Sequence, residues 1–250
     1  MTWSYSRLTC YEQCPYKFYL KYIDPVPTKE MFYSSFGSFF HEILAGLFSG
    51  QISKEEAEME FINGFQTKVK GDRPDAKQSI SRFRDGLEYI RSFAEPKEGV
   101  IDTEHFCRFN VDKYHFIGYI DAILSDGENI LCLDHKSHNL KPRSKRKTPT
   151  KSDEELSSYL RQLYLYSKAL FSEYGKYPSK LMFNCYRSGT IVSEPFSEEK
   201  LKESEMWAES VISKIFEEED WNPNLEYFSC KNLCECNDSC EYYELMKGGD

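Results

Sequence analysis

Two carboxylates and a lysine lie at the ends of two adjacent strand-like segments. Asp134 and Lys136 end the apolar run at 130–133, and Asp121 lies in the strand-like segment before it. Side chains alternate along a strand, so Asp134 and Lys136 point to one face and His135 points to the other. A strand that is apolar on both faces is buried, and a buried charge needs a partner or a metal. These residues either hydrolyse a phosphodiester with a bound metal ion or form a structural ion pair.

The composition is typical of a folded domain with one sizeable core, since 40% of the 250 residues are hydrophobic and 16% are aromatic. No apolar stretch is long enough to span a bilayer, and the first residues lack the basic and apolar segments of a secretory signal. We therefore expect a cytoplasmic protein of a bacterial, archaeal or phage-infected cell, without a membrane partner. In that compartment, the nine cysteines do not form a disulfide framework.

A basic segment interrupts an otherwise acidic chain. The net charge of −9 argues against general binding to polyanions but leaves room for a local nucleic-acid site. Residues 141–151 contain no acidic residue and carry Lys141, Arg143, Lys145, Arg146, Lys147 and Lys151. The segment is either a solvated, mobile loop or a loop that contacts DNA phosphates at the mouth of the site. Both descriptions hold if the loop becomes ordered on binding DNA.

Hydrophobic periodicity predicts three helices, a three-stranded meander, a long helix, two strands and a last helix. The helices are predicted at 36–48, from a cap at Ser53 to about 70, at 76–94, at 153–173 and at 198–218. The strands are predicted at 101–111, 114–125, 129–137, 179–187 and 190–196. The tail from Trp221 has little periodicity and is rich in cysteine.

Six short motifs occur in an order that is typical of one family. They are Cys14-Pro15, Gly-Ser-Phe-Phe-His at 37–41, Gly-Tyr-Ile-Asp at 118–121, Asp-His-Lys at 134–136, Gln-Leu-Tyr-Leu-Tyr at 162–166 and a C-terminal group of cysteines. Each motif is weak by itself, but six in this order form a strong joint signal. In these motifs the chain resembles the PD-(D/E)xK nuclease superfamily, in its RecB-like branch. It is most similar there to the CRISPR-associated RecB-like iron–sulfur exonucleases and to the nuclease domain of the AddB helicase subunit.

The resemblance implies an α/β fold with a restriction-endonuclease-like core of a helix, a three-stranded meander, a helix and a strand. A helical lobe is added to this core, and an iron–sulfur region joins the N- and C-terminal segments. We expect a single nuclease domain over 1–250. Within it, the iron–sulfur region covers 1–30 and 221–250, the helical insertion 51–96, and the catalytic core 97–196.

The resemblance also implies a metal site. Its side-chain ligands are His41, Asp121 and Asp134, and the backbone carbonyl of His135 is a further candidate. Oxygen ligands with one imidazole suit Mg²⁺ or Mn²⁺, and the nitrogen ligand favours Mn²⁺. Glu104 is a weaker candidate, because a second acid lies two residues before it and a solvent-facing position on an edge strand also explains it. An ordinary structural histidine is the alternative for His41.

Three further residues have catalytic roles in the resembling family. Lys136 faces the metal-bound water, where a nearby cation lowers the lysine pKa and lets the amine orient or deprotonate that water. Gln162 and Tyr166 are four residues apart and therefore share one face of a helix. The resemblance places this pair beside the active site, in contact with the DNA backbone or a catalytic group. A tyrosine-rich amphipathic helix is the alternative.

The terminal cysteines match the iron–sulfur nucleases of this branch. The implied ligands of a [4Fe–4S] cluster are Cys14, Cys230, Cys234 and Cys240. The family pattern has two residues between the first two late cysteines, whereas three separate Cys230 from Cys234. Cys236 and Cys10 are the alternates, and a structural zinc site formed by the tail cysteines is the alternative cofactor.

The expected function is a metal-dependent DNA nuclease, an exonuclease on single-stranded or end-exposed DNA. The alternatives are an endonuclease on branched or duplex DNA, a non-catalytic DNA-binding subunit, and a processing or assembly subunit of a recombination or CRISPR adaptation complex. Because the chain has no Gly-x-x-x-x-Gly-Lys-Ser/Thr motif, any partner helicase is a separate protein.

Overall fold

A five-stranded sheet with helices on both faces forms the centre of the protein. The structure is a computed structural model and describes residues 1–247. The helices are α1 (Tyr5–Gln13), α2 (Pro15–Phe18), a π-helix (Tyr19–Ile23), α3 (Phe32–Phe48), α4 (Lys54–Thr67), α5 (Ala76–Ser92), α6 (Lys151–Tyr174), α7 (Glu198–Glu217), α8 (Tyr227–Asn232), a 3₁₀-helix (Asn237–Ser239) and α9 (Glu241–Lys247). The strands are β1 (Gly99–Val111), β2 (Tyr114–Ser125), β3 (Ile130–Lys136), β4 (Lys180–Cys185) and β5 (Thr190–Pro195). None of the helices within residues 1–247 has the length and apolarity that crossing a membrane requires.

The sheet has the strand order β1-β2-β3-β4-β5. Strands β1, β2 and β3 form an antiparallel meander, β4 pairs with β3 in parallel, and β5 pairs with β4 in antiparallel. A parallel pair needs a crossover connection, and α6 forms it between β3 and β4. Helix α3, the meander, α6 and β4 follow the predicted order of helix, three strands, helix and strand. The restriction-endonuclease-like α/β core is therefore confirmed.

Strand β3 is buried on both of its faces. Ile130 and Cys132 belong to the large core that the sheet shares with α6 and α7. Leu131 and Leu133 belong to a smaller core on the opposite face. This alternation is the predicted one, and it places the Asp134 carboxylate in the protein interior.

Two helix starts show what capping signals contribute to this fold. Ser53 and Glu56 form the predicted capping box at the start of α4. Helix α3 begins at Phe32 instead of 36, and Met31 before it provides no side-chain cap. Phe32 is buried in the aromatic core of the helical lobe. Packing between helices therefore determines this start, and the local sequence does not reveal it.

The C-terminal tail contains more secondary structure than its lack of periodicity predicts. It contains α8, the 3₁₀-helix and α9, none of which was expected. These elements are too short to show a hydrophobic period of their own. Positions 248–250 of the predicted iron–sulfur range 221–250 lie outside the described residues.

Candidate active site

Three potential metal ligands meet where α3 packs against β1 and β2. The ligand atoms of His41, Glu104 and Asp121 lie within 4.8 Å of one another. The Nδ1 atom of His41 is 3.4 Å from Asp121 Oδ2 and 3.9 Å from Glu104 Oε1. The structure therefore places Glu104, the weaker candidate of the sequence, beside the two stronger ones.

Glu104 has an unusual backbone conformation for a strand residue. Its φ angle of 50° lies in the left-handed region, which a residue with a side chain seldom adopts. It lies level with Asp121 on the paired strands β1 and β2. Strained conformations of this kind persist where the surrounding structure supports them, and they are concentrated at functional sites. The conformation is consistent with a ligand role for Glu104.

Asp121 is held in its ionised form. Its Oδ2 atom accepts a hydrogen bond of 2.6 Å from the backbone N–H of His135. Burial raises the pKa of Asp121, but the His41 imidazole and the His135 N–H outweigh burial and lower this pKa to about 2. Burial lowers the pKa of His41, and the carboxylates of Asp121, Asp134 and Glu104 reverse this effect and raise it. The site thus pairs a stable carboxylate with an imidazole that its acidic neighbours make more basic.

Asp134 and Lys136 form a buried ion pair next to these ligands. Lys136 Nζ is 2.7 Å from Asp134 Oδ2, yet that oxygen has no partner of normal hydrogen-bond geometry within residues 1–247. Burial and the nearby Asp121 raise the pKa of Asp134, and Lys136 counteracts them. Burial lowers the pKa of Lys136, but Asp134 outweighs burial and raises it. A lowered Lys136 pKa beside a bound cation stays a prediction.

The Gln162 and Tyr166 side chains extend this network along α6. Lys136 Nζ donates a hydrogen bond of 3.1 Å to Gln162 Oε1. Gln162 Nε2 in turn donates one of 3.3 Å to the Tyr166 hydroxyl. A Cβ atom at Gly118 would overlap the ring of Tyr166. The absence of a side chain at Gly118 therefore allows the Tyr166 ring to pack against strand β2.

The His135 side chain lies on the far face of β3, as its position in the strand predicts. Its Nδ1 atom is 2.9 Å from Asn184 Nδ2, which also donates to the Tyr89 hydroxyl at 2.6 Å. The ring of Phe48 covers His135 at a centroid distance of 4.8 Å. These contacts hold the residue whose backbone N–H binds Asp121. Sequence reasoning missed Asn184, although a single amide inside an apolar strand was a usable signal.

The donor set fits a divalent cation such as Mg²⁺ or Mn²⁺. It consists of carboxylate oxygens and one imidazole nitrogen, the ligand types that these ions accept in proteins. The buried Asp134 Oδ2, which lacks a well-directed hydrogen bond, is a further oxygen suited to a cation.

The basic segment has an anchored start and an exposed remainder. Arg143 forms an ion pair of 3.0 Å with Glu194 and a hydrogen bond of 3.2 Å with Ser157. Ser144 donates to the Asp153 carboxylate through both its backbone N–H and its hydroxyl. The exposed basic residues are Lys141, Lys145, Arg146, Lys147 and Lys151. The geometry gives Arg143 a structural role and leaves those five as the residues able to reach a phosphate.

Four cysteines from the two ends of the chain line one small cavity. They are Cys14, Cys230, Cys234 and Cys240, the set that the sequence favoured. The Cys14 sulfur accepts hydrogen bonds from the backbone N–H groups of Lys17 at 3.3 Å and Asn224 at 3.4 Å.

The alternates Cys236 and Cys10 do not line this cavity. Cys236 is fully buried, and its thiol donates a hydrogen bond to Cys234, which together with the nearby Lys17 lowers the pKa of Cys234. Cys10 is also buried, and burial raises its pKa to about 11.

The thiols are farther apart than the ligands of a bound zinc ion. Four thiolates about 2.3 Å from a zinc ion lie roughly 3.8 Å apart. Within residues 1–247, no three cysteine sulfurs come within 4.8 Å of one another. A [4Fe–4S] cluster and a structural zinc site both stay predictions.

Charged side chains also join the two chain ends. Glu235 forms ion pairs with Lys17 and Lys21, and Asp238 forms one of 2.7 Å with Lys29. The backbone N–H of Lys29 donates to the Glu235 carbonyl at 2.9 Å. The structure thus brings the predicted segments 1–30 and 221–247 into direct contact.

The chain matches the sequence pattern of the PD-(D/E)XK nuclease superfamily over residues 2–241. It belongs to this superfamily. Among solved structures, the chain is similar to a protein from Eubacterium rectale that is provisionally described as an exonuclease. The two share 12% sequence identity and a TM-score of 0.50, over 99% of this chain and 93% of the other. This likeness supports the fold. No curated protein matches the chain.

Proposed function

We propose that this protein is a metal-dependent deoxyribonuclease that acts as an exonuclease on single-stranded or end-exposed DNA. The observation that carries the proposal is the meeting of His41, Glu104 and Asp121 beside the Asp134–Lys136 pair in a nuclease fold. The exonuclease description of the Eubacterium rectale protein agrees with it. In this proposal, the protein acts in the cytoplasm.

The ligand residues would hold one Mn²⁺ or Mg²⁺ ion. They are His41, Glu104, Asp121 and Asp134, with the backbone carbonyl of His135 as a further oxygen. Such an ion would polarise the scissile phosphate and lower the pKa of the attacking water. Asp121 is ready for this role because its low pKa keeps it charged.

Lys136 stabilises the charge that develops on the phosphate. The raised pKa keeps its ammonium group protonated, and preorganised cations of this kind act strongly in a buried site. Asp134 and Gln162 hold the Nζ atom from two sides. Tyr166 fixes Gln162, so the amine has a defined position before the substrate arrives.

The terminal cysteines hold a [4Fe–4S] cluster in this proposal. Cys14, Cys230, Cys234 and Cys240 line one cavity, and thiolates are the usual ligands of such clusters. Because the ligands come from both ends of the chain, binding free energy stabilises the fold. The cluster's role is structural and keeps the ends beside the nuclease core.

DNA approaches through the exposed part of the basic segment. Lys141, Lys145, Arg146 and Lys147 contact phosphates there, and their contribution falls as salt rises. A helicase, a recombination protein or a CRISPR adaptation protein delivers the DNA end.

The test uses protein purified without oxygen and incubated with Mg²⁺ or Mn²⁺. The substrates are end-labelled linear single strands, linear duplexes, branched DNA and a circular single strand. We expect stepwise shortening of the linear single strand and an intact circle. The Lys136→Ala variant should lose activity by at least about 100-fold.

The matched control is Lys202→Ala, which removes an exposed lysine on α7. It should retain wild-type activity. Equal cleavage by wild type and Lys136→Ala would contradict the proposal. Cleavage of the circular strand or of branched duplexes would replace it with the endonuclease alternative.

A further inference from the structure

The outer face of the β1–β2 hairpin continues directly from the candidate metal site. Thr103 pairs with Ala122 and His105 with Ile120, so Glu104 and Asp121 lie level with each other on the two strands. Three cross-strand pairs that share one face follow toward the hairpin turn. These pairs are Phe106–Tyr119, Arg108–Ile117 and Asn110–His115. Successive pairs lie about 6.8 Å apart, because a strand rises about 3.4 Å per residue. The row therefore extends about 20 Å from the carboxylates.

Large apolar side chains are exposed along this row. Phe106 is 41% exposed, Tyr119 56% and Ile117 37%, and the two aromatic rings lie 5.2 Å apart between centroids. The intervening residues of β1, such as Cys107 and Phe109, are buried on the opposite face. Strand β1 is also at the edge of the sheet. A contiguous exposed apolar patch of this kind usually marks an interaction site.

Arg108 adds an uncompensated positive charge to the aromatic pair. Its guanidinium lies 5.1 Å from the centre of the Phe106 ring. In the part of the chain that the structure describes, Arg108 forms no hydrogen bond or ion pair. In a protein of net charge −9, a free arginine on an aromatic surface suits an anionic ligand. Phe106, Arg108 and Ile117 also border an open groove of about 700 Å³.

We propose that this hairpin row binds the single strand whose phosphodiester enters the metal site. This inference rests on the proposed function and names the path of its substrate. Unpaired bases stack on Phe106 and Tyr119, and Arg108, in the next pair along the row, binds a phosphate of the same strand. The row favours a single strand over a duplex, because a duplex hides its base faces from aromatic side chains. Continuity with Glu104 and Asp121 favours nucleic acid over a protein partner.

The test measures binding of a fluorescent oligothymidylate of about 20 nucleotides to the full-length protein, without added divalent metal. The double variant Phe106→Leu/Tyr119→Leu keeps apolar bulk on the strands but removes both rings. We expect its Kd to rise roughly 10- to 100-fold, since stacking of each base contributes measurably to affinity. Phe106→Trp should bind at least as tightly as wild type. Arg108→Ala should weaken binding and reduce the salt dependence by about one phosphate contact.

The matched control is Ile191→Ala, which alters a 50% exposed residue on β5 at the other edge of the sheet. It should bind the oligonucleotide as wild type does. Unchanged binding by the double leucine variant, with an unchanged melting temperature, would overturn the row as the substrate path. A change of oligomeric state instead of DNA affinity would also overturn it and identify the face as a contact between copies.

The binding readout separates this inference from the proposed function. If wild type binds the oligonucleotide through the row but never cleaves it, the nuclease proposal fails and the row stands. If wild type degrades DNA and the double variant binds and degrades it equally well, the row fails and the nuclease proposal stands.

Discussion

The candidate metal ligands lie on a helix and adjacent strands, whereas the candidate cluster cysteines come from the two ends of the chain. Asp134 lies within the β3–β4 ladder, opposite Phe183, and the backbone N–H of His135 donates a hydrogen bond to the Asp121 carboxylate. Side-chain ion pairs hold the ends together, such as those of Glu235 with Lys17 and Lys21.

The two regions therefore differ in whether they serve activity or stability. Partly exposed ion pairs contribute little free energy, and aromatic contacts such as Phe18–Trp221 also join the ends. We expect a cofactor held by the cysteines to add to the stability of the joined ends. The sheet site, in contrast, is formed by the core itself. We therefore expect ligand substitutions to remove activity at the sheet and to remove stability at the chain ends.

The largest expected effect is on catalysis at the sheet. Asp121→Asn should lower the rate of DNA hydrolysis by roughly 100- to 10,000-fold, because a neutral amide is a poor ligand for a divalent ion. The amide oxygen still accepts from the His135 N–H, so the melting temperature should change little. Calorimetry and a cleavage assay measure both quantities. The control is Glu88→Gln, an exposed acid on α5. If Asp121→Asn unfolded, the contrast between activity at the sheet site and stability at the chain ends would be wrong.

The second effect concerns stability at the chain ends. Cys14→Ser should abolish cluster absorbance and lower the melting temperature by about 10 °C or more, because the site joins distant segments. Cys236→Ser should keep its iron, since the hydroxyl can still donate to Cys234 and the residue does not line the cavity. Iron analysis of anaerobic protein and thermal melts measure these outcomes. Iron lost from Cys236→Ser but retained by Cys14→Ser would reverse our ligand assignment.

The third effect tests how tightly the sheet site is packed. Gly118→Ala should destabilise the protein by about 1–3 kcal/mol, because its Cβ overlaps the Tyr166 ring. Tyr166→Ala in the same chain should recover part of this loss, which a double-mutant cycle from urea unfolding measures. At Gly99 an added Cβ would be 3.9 Å from its nearest neighbour, so Gly99→Ala is the control. Equal effects at the two glycines would contradict the packing argument.

The smallest expected effect is on the basic segment at 141–151. Like the chain ends, this segment is held in place by side-chain contacts. Hydrogen bonds from Ser144 and Thr150 lower the pKa of Asp153. A carboxylate whose pKa is lower in the folded state stabilises the fold at any pH above its unfolded pKa of about 4. This contribution is lost as the pH falls toward the pKa of the folded state. Asp153→Asn should lower the melting temperature at pH 7 by roughly 2–6 °C. The difference from wild type should shrink in acid. A difference that is constant with pH would assign the effect to packing.

Local signals in the sequence predicted most elements of the fold. The capping box of Ser53 and Glu56 marks the start of α4, and alternation predicts β2 with its observed bounds, Tyr114–Ser125. The start of α3 at Phe32 was not predictable, because no cap marks it and its reason is a contact with distant helices. Short helices such as α8 and α9 have no period to detect.

The sequence by itself determined the chemistry that is present: a histidine, carboxylates and a lysine at particular strand positions, and cysteines at both ends. It also determined which face of β3 carries Asp134 and Lys136, because alternation along a strand is local. Tertiary structure alone decided that Glu104 joins His41 and Asp121, that Asn184 supports His135, and that Cys14 shares a cavity with the late cysteines. Strand register and helix docking depend on contacts between segments far apart in the chain, and periodicity does not encode those contacts.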